Sequence, residues 1–226
     1  MRADEGQAQR AVALEDVLAA RRAIGGRLHR TPTFTSRLLS ELTADSGRTL
    51  VHPFDSPETI AGQGTVGLEI AEDVPDADVV VVPIGGGGLI AGIVTAVKEM
   101  RPAARVIGIE PERSNAMHRA LDRGEPVRID PVSLADGLNA PFAGEHTLPI
   151  VRNRVDDVVL VSEDELADAT RFLYGRAKLA CEPAGAAATA ALMSGKVAHE
   201  QGESVVVVVS GGNVAPETAV AILAGR

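Results

Sequence analysis

The sequence predicts an α/β fold, a mostly parallel sheet with helices on both faces. Three observations carry this. Runs of β-branched residues alternate with amphipathic or Ala-rich runs of helical length from residue 50 to the end. The run Val79-Val80-Val81-Val82-Pro83 passes straight into Gly85-Gly86-Gly87-Gly88 and then into the apolar helical pattern Leu89-Ile90-Ala91-Gly92-Ile93, as strand, tight loop and helix N-terminus. A second valine run, Ser204 to Val209, likewise ends in Ser210-Gly211-Gly212-Asn213. Ligands in such folds gather at the carboxyl ends of the strands, where both glycine-rich loops fall.

Residues 1–10 are polar and read as a frayed tail, leaving 11–226 as a single domain. A helix is expected over Ala11–Leu28, with Leu14, Val17, Leu18, Ile24 and Leu28 at helical spacing. Thr31–Ser36 is extended, Leu38–Leu42 a helical turn, and 43–49 a polar break. Leu50–Asp55 reads as a strand stopped by Pro53, and Glu58–Val74 as a helix with early glycines at 62 and 64. Strand 78–84, helix 89–101 and strand 105–110 form one right-handed β-α-β unit. A helix near 114–122, a turn at Ala135-Asp136-Gly137 and a helix over Thr147–Arg154 follow. Strand 158–161 leads into Ser162-Glu163-Asp164-Glu165, a capping box for a helix to Leu179 with a solvated acidic start. Helix 186–193, strand 204–209 and helix 217–224 complete the chain.

Composition narrows the function classes. The net charge is −9 over 226 residues, with five aromatic residues and no Trp, which argues against nucleic acid and anionic membrane as partners. The first residues, Met1-Arg2-Ala3-Asp4-Glu5, do not form a signal peptide, and no apolar run approaches the ~20 residues of a membrane span. A single cysteine, Cys181, allows no internal disulfide and reads as a small buried residue; the expected compartment is the cytoplasm. The five histidines show neither metal spacing nor a nucleophile–base pairing.

Four consecutive glycines remove every Cβ from the first loop, so successive backbone N–H groups can converge on one small anion. The helix that follows adds its free N–H groups and the positive end of its dipole. Two guests fit. Gly86-x-Gly88-x-x-Ala91 after a strand, with Glu110 ending the next, satisfies a dinucleotide fingerprint in which Glu110 takes a ribose hydroxyl. A simple phosphate needs the loop alone.

The surrounding motifs favour the second guest. Arg30-Thr31-Pro32, His52-Pro53-Phe54-Asp55 running into Ile60-Ala61-Gly62-Gln63-Gly64-Thr65, Pro83-Ile84-Gly85-Gly86-Gly87-Gly88-Leu89, Gly108-Ile109-Glu110-Pro111, Ala135-Asp136-Gly137, Cys181-Glu182-Pro183-Ala184-Gly185-Ala186 and Ser210-Gly211-Gly212-Asn213 follow one another in order. In these the chain resembles the pyridoxal-phosphate-dependent serine/threonine dehydratases (ammonia-lyases) and serine racemases, of the tryptophan-synthase-β-like fold. The resemblance implies that Gly85, Gly86, Gly87, Gly88 and Leu89 cradle the cofactor phosphate, that Ser210 faces the pyridine nitrogen and that Glu182 lies near the ring. Without the family, Ser210 reads as a helix N-cap and Glu182 as a first-turn carboxylate. Glu110 corresponds to a divalent-cation ligand of metal-dependent members. Their second carboxylate is Ala116 here and Ser114 is a weak substitute, so one carboxylate is a poor site for a hard cation.

The departure from the family is internal. Its Ser-Phe-Lys-x-Arg-Gly-like motif, which carries the Schiff-base lysine, and its Ser-x-Gly-Asn-His-Gly-like substrate loop lie between the Thr-Pro region and the His-Pro-Phe-Asp-like motif. Here seven residues join Leu42 to Leu50, and neither motif occurs. The three lysines do not substitute: Lys98 is ~15 Å along its helix, Lys178 is on a helix facing away from the loop, and Lys196 is in a surface turn. No catalytic residue is identified. The expectation is a truncated, pseudoenzyme-like dehydratase, with most of the small domain missing. The family reaction is β-elimination of L-threonine or L-serine to a 2-oxo acid and ammonia. Pyridoxal 5′-phosphate is the cofactor, held without a covalent bond, and an amino acid is the substrate of any residual activity. A non-catalytic phosphate-binding subunit paired with a full-length paralogue and a dinucleotide binder are the alternatives. Missing sheet neighbours would leave an exposed edge, so a homo-oligomer is expected.

Overall fold

The computed structural model describes residues 12–24 and 51–225. Expectations for 1–11, 25–50 and 226, including the Arg30-Thr31-Pro32 motif, lie outside the described residues. The first helix, α1, runs Leu14–Ile24. Then come α2 (Pro57–Asp73), β1 (Val79–Pro83), α3 (Gly88–Met100), β2 (Arg105–Pro111) and α4 (Ala116–Arg123). A short 3-10 turn at Asp136–Leu138 precedes α5 (Thr147–Arg154), β3 (Asp157–Val161) and α6 (Glu163–Phe172). The chain closes with α7 (Pro183–Met193), β4 (Val205–Val207) and α8 (Pro216–Leu223).

All neighbouring strands are parallel, in the order β3-β2-β1-β4. Alternate valines of β1 face opposite ways, as the strand period requires. Val80 and Val82 pack with Val106, α2, α3 and α5, whereas Val79 and Val81 pack with Ile107, Ile109, α6 and α7. Burial on both faces explains why β1 is a continuous apolar run. The order reverses at β1: β2 and β3 lie to one side and β4 to the other. The loops leaving β1 and β4 therefore flank the crevice at this switch point.

Three local expectations change. Leu50–Asp55 is not a strand over its described part: the His52 imidazole Nδ1 accepts N–H bonds from Asp55 at 2.9 Å and Phe54 at 3.4 Å, which folds His52–Asp55 into a turn. Ser56 then caps α2, accepting from the Thr59 N–H. The helix expected to reach Leu179 stops at Phe172 in a π-helical turn over Leu173–Ala177; Lys178 adopts a left-handed φ of 59°, and Leu179 N–H returns to the Leu173 carbonyl. The acidic start of that helix is only partly solvated. Glu163 accepts the Leu134 N–H at 2.6 Å, while Ser162 and Glu165 form the expected capping box.

Candidate anion site at the strand switch point

Pro83 ends β1 and α3 begins at Gly88, so Ile84 and the first three glycines make the connection and the fourth opens the helix. Gly87 has φ +97°, the left-handed region that glycine enters without cost. Its neighbours leave no room for a side chain. A Cβ on Gly86 would lie 2.2 Å from the Phe54 ring, one on Gly87 2.6 Å from the Met117 methyl, and one on Gly88 2.7 Å from the Phe54 carbonyl oxygen. The loop makes its hydrogen bonds through carbonyls: Gly86 accepts from Gly144 N–H (3.2 Å) and Thr147 Oγ1 (2.8 Å), and Gly87 accepts from Ala91 N–H. None of the N–H groups from Gly85 to Ile90 has a partner among the described residues. Six successive free donors, Gly86–Gly88 among them buried, are the lining that a phosphate requires. The site thus fits a phosphate-bearing cofactor.

The turn Asp136–Leu138 links the two glycine-rich loops. A Cβ on Gly85 would meet Leu138 Cα at 3.3 Å, and one on Gly137 would meet Glu182 Oε1 at 3.0 Å. A Cβ on Gly211 would be 2.2 Å from the same Glu182 oxygen, and Glu182 N–H donates to the Gly211 carbonyl. Gly85, Glu182 and the loop carrying Ser210 are thereby assembled as one wall. Glu182 is the N-cap residue of α7 without a side-chain capping bond. Burial, then the nearby Asp136 charge, holds its pKa above the usual carboxylate range. Ser210 is half-buried and does not cap α8, whose N-cap is Ala215. Its hydroxyl has no hydrogen-bond partner among the described residues. The adjacent Cys181 is buried, and burial pushes its thiol up to about 11, which makes it a poor nucleophile.

Glu110 has no exposed surface, and its two oxygens accept the Met117 and His118 N–H groups at 2.8 and 2.7 Å, at the start of α4. A carboxyl group with both oxygens engaged by a helix N-terminus does not present them to a ribose, which speaks against the part that the alternative dinucleotide reading gives Glu110. Among the described residues no group of three His, Cys, Asp or Glu side chains could hold a metal.

Every lysine of the chain is engaged elsewhere. Lys98 pairs with Asp156 at 2.8 Å, and Lys196 pairs with Glu165 at 2.8 Å and donates to the Leu160 carbonyl. Lys178 donates to the Gly175 carbonyl at 2.7 Å, beyond the end of α6 and not on a helix as the sequence suggested. Sequence reasoning missed Thr147, which appears in it only as a helix start, and the separate roles of Phe54 and Asp55. Their signal lay in the quoted His52-Pro53-Phe54-Asp55 motif.

The fold and the loop define an α/β protein with a row of N–H donors, unpartnered among the described residues, at a strand switch point. The chain belongs to the pyridoxal-phosphate-dependent enzyme family, which matches residues 10–211. It is 46% identical over 170 residues to L-threonine ammonia-lyase of Thermotoga maritima, covering 75% of this chain and 42% of that protein. It is 47% identical over 178 residues to the catabolic L-threonine dehydratase TdcB of Escherichia coli K12, covering 78% and 54%. The chain spans about half the length of the curated relatives it matches. Among solved structures it is similar to a threonine deaminase from T.th., with a TM-score of 0.79, 32% identity and coverage of 90% of this chain and 99% of that one. Maize serine racemase aligns with a TM-score of 0.74, 38% identity and coverage of 79% and 57%. The fold-type II architecture and the family's cofactor, pyridoxal phosphate, accord with the resemblance read from the motifs.

Proposed function

We propose that residues 11–226 act as a threonine-dehydratase-like domain that holds pyridoxal phosphate non-covalently and has little or no dehydratase activity on its own. One observation carries this: the six successive N–H groups from Gly85 to Ile90 have no partner among the described residues, while all three lysines are engaged by Asp156, Gly175 and Glu165. A lysine that attacks a carbonyl must be desolvated, unprotonated and within reach. Lys98 and Lys196 are instead tied into ion pairs with Asp156 and Glu165.

In this reading Gly85–Leu89 bind the phosphate. Ser210 offers a neutral hydroxyl to the ring nitrogen, and its lack of another partner among the described residues supports that role. Glu182, held between Gly137 and Gly211, borders the ring. Pyridoxal phosphate, when bound, supplies an electron sink for bonds at the α-carbon of an amino acid. The neutral Ser210 hydroxyl would leave the ring nitrogen unprotonated, a setting that would suit loss of a β-hydroxyl from threonine or serine. A pairing with a full-length relative would restore the missing lysine and substrate loop. The half-buried valines of β4 and the exposed Val220 and Leu223 of α8 support self-association. No helix among the described residues is long and apolar enough to cross a membrane, and a reducing, cytoplasmic compartment fits the single buried Cys181.

The test is to mix the chain with pyridoxal phosphate, follow the visible spectrum, reduce with borohydride and weigh the protein. Saturable binding without a mass increment is expected. A cofactor adduct on Lys98, Lys178 or Lys196 would overturn the non-covalent assignment, and absence of saturable binding would remove the cofactor role.

A further inference from the structure

We propose that Thr147 and Asp55 are positioning residues for the anion nest: they pin the Gly86 carbonyl so that the Gly87 N–H is aimed at the ligand. This rests on the phosphate reading of the glycine loop. In a trans peptide the carbonyl and the following N–H point to opposite sides. Fixing one fixes the other. The Gly86 carbonyl is gripped by two donors from a single turn, Thr147 Oγ1 at 2.8 Å and Gly144 N–H at 3.2 Å. Thr147 is fully buried, and its hydroxyl lies farther, 3.3 Å, from the Gly144 carbonyl, so the Gly86 bond is the better one.

Asp55 holds that turn in place. Its two carboxylate oxygens accept the Glu145 and His146 N–H groups, both at 2.9 Å, directly before α5. A Cβ on Gly144 would lie 2.2 Å from Asp55 Oδ1, so the carboxylate fits there only because residue 144 is glycine. Asp55 is itself placed by the His52 imidazole, which accepts its N–H. The struts thus run from the His52 turn through Asp55 to residues 144–147 and on to Gly86. Without them the Gly86–Gly87 peptide is free to rotate, because glycine on both sides removes the steric brake. A rotated peptide would present an oxygen to the phosphate where a donor is needed. The nest would lose one hydrogen bond and gain a repulsion, and the peptide would have to be reordered on binding.

The experiment titrates the whole chain with pyridoxal phosphate, read by its visible absorbance, and with inorganic phosphate as competitor. Thr147→Val should weaken both about tenfold, the size of one lost charge-assisted hydrogen bond. Thr147→Ser, which keeps the hydroxyl, should stay within about twofold of the unaltered chain. Unchanged affinities in Thr147→Val overturn the proposal. So does an equal loss in Thr147→Ser, which would mean that the methyl group and not the hydroxyl matters. Should Thr147→Val fail to fold, Asp55→Asn carries the same test: weaker binding of both ligands supports the struts, and unchanged binding overturns them. If the unaltered chain binds neither ligand, the phosphate reading itself falls, a result distinct from intact binding with indifferent variants.

Discussion

Glu110 combines two opposed effects in one carboxyl group. Full burial disfavours its charged form, while the Met117 and His118 N–H groups favour it; burial wins and pushes the pKa up to about 8. Because the folded value lies above the unfolded value of 4.5, the folded state holds the proton more tightly. The associated stability is fully present below about pH 4.5 and is lost as the pH rises through 8, by an amount on the order of a few kcal/mol. Thermal midpoints measured from pH 5 to 8 should therefore fall. In Glu110→Gln that slope should flatten, with a constant loss of ~1–3 kcal/mol because an amide nitrogen cannot accept one of the two N–H bonds. A parallel slope in the variant would show that another group titrates. At the loop, Gly88→Ala brings a methyl within 2.7 Å of the Phe54 carbonyl oxygen and 2.9 Å of its Cα. Backbone atoms yield little, so calorimetry should register a loss of ~1–3 kcal/mol together with weaker pyridoxal phosphate binding.

Between elements, α2 and α3 cross on glycine. A Cβ at Gly92 would meet Gly64 N and the Ile60 carbonyl oxygen at 2.4 Å each, and one at Gly67 would meet the Ile93 carbonyl oxygen at 2.7 Å. Gly62, in the same helix, has no atom within 4 Å of its Cβ position. Two substitutions of identical chemistry should thus act in opposite directions. Gly92→Ala should cost ~1–3 kcal/mol or more by prying the helices apart, whereas Gly62→Ala should add ~0.5–1 kcal/mol through helix propensity. Denaturant titrations of both variants check the pair. The crossing matters to the site because α2 begins next to the His52 turn and α3 begins in the glycine loop. Their close approach holds Phe54 against Gly86 and Gly88.

At the scale of the whole molecule, the parallel order β3-β2-β1-β4 creates the crevice, and β1 and β4 differ in how far they are covered. The strand residues of β1 are fully buried, yet those of β4 are only half-buried, and Val220 on α8 is 64% exposed. Sedimentation velocity should reveal concentration-dependent association, and Val220→Glu should reduce it by placing a charge on that apolar face. A monodisperse monomer across the concentration range would count against this.

The sequence alone determined the strand–loop–helix unit around Gly85–Gly88, the alternation that makes the sheet parallel, the capping box at Ser162–Glu165 and the family. These features are local, set by β-branched runs, glycine content and side chains three residues apart, and local patterns survive in one dimension. Only the tertiary structure decided where Glu110 spends its oxygens, that Lys178 lies beyond a helix and not on it, and that Thr147 and Asp55 hold the loop from behind. Each of those depends on contacts between segments distant in the chain. Asp55 reaches His146 across 91 residues and Thr147 reaches Gly86 across 61, separations over which neither composition nor periodicity carries a signal.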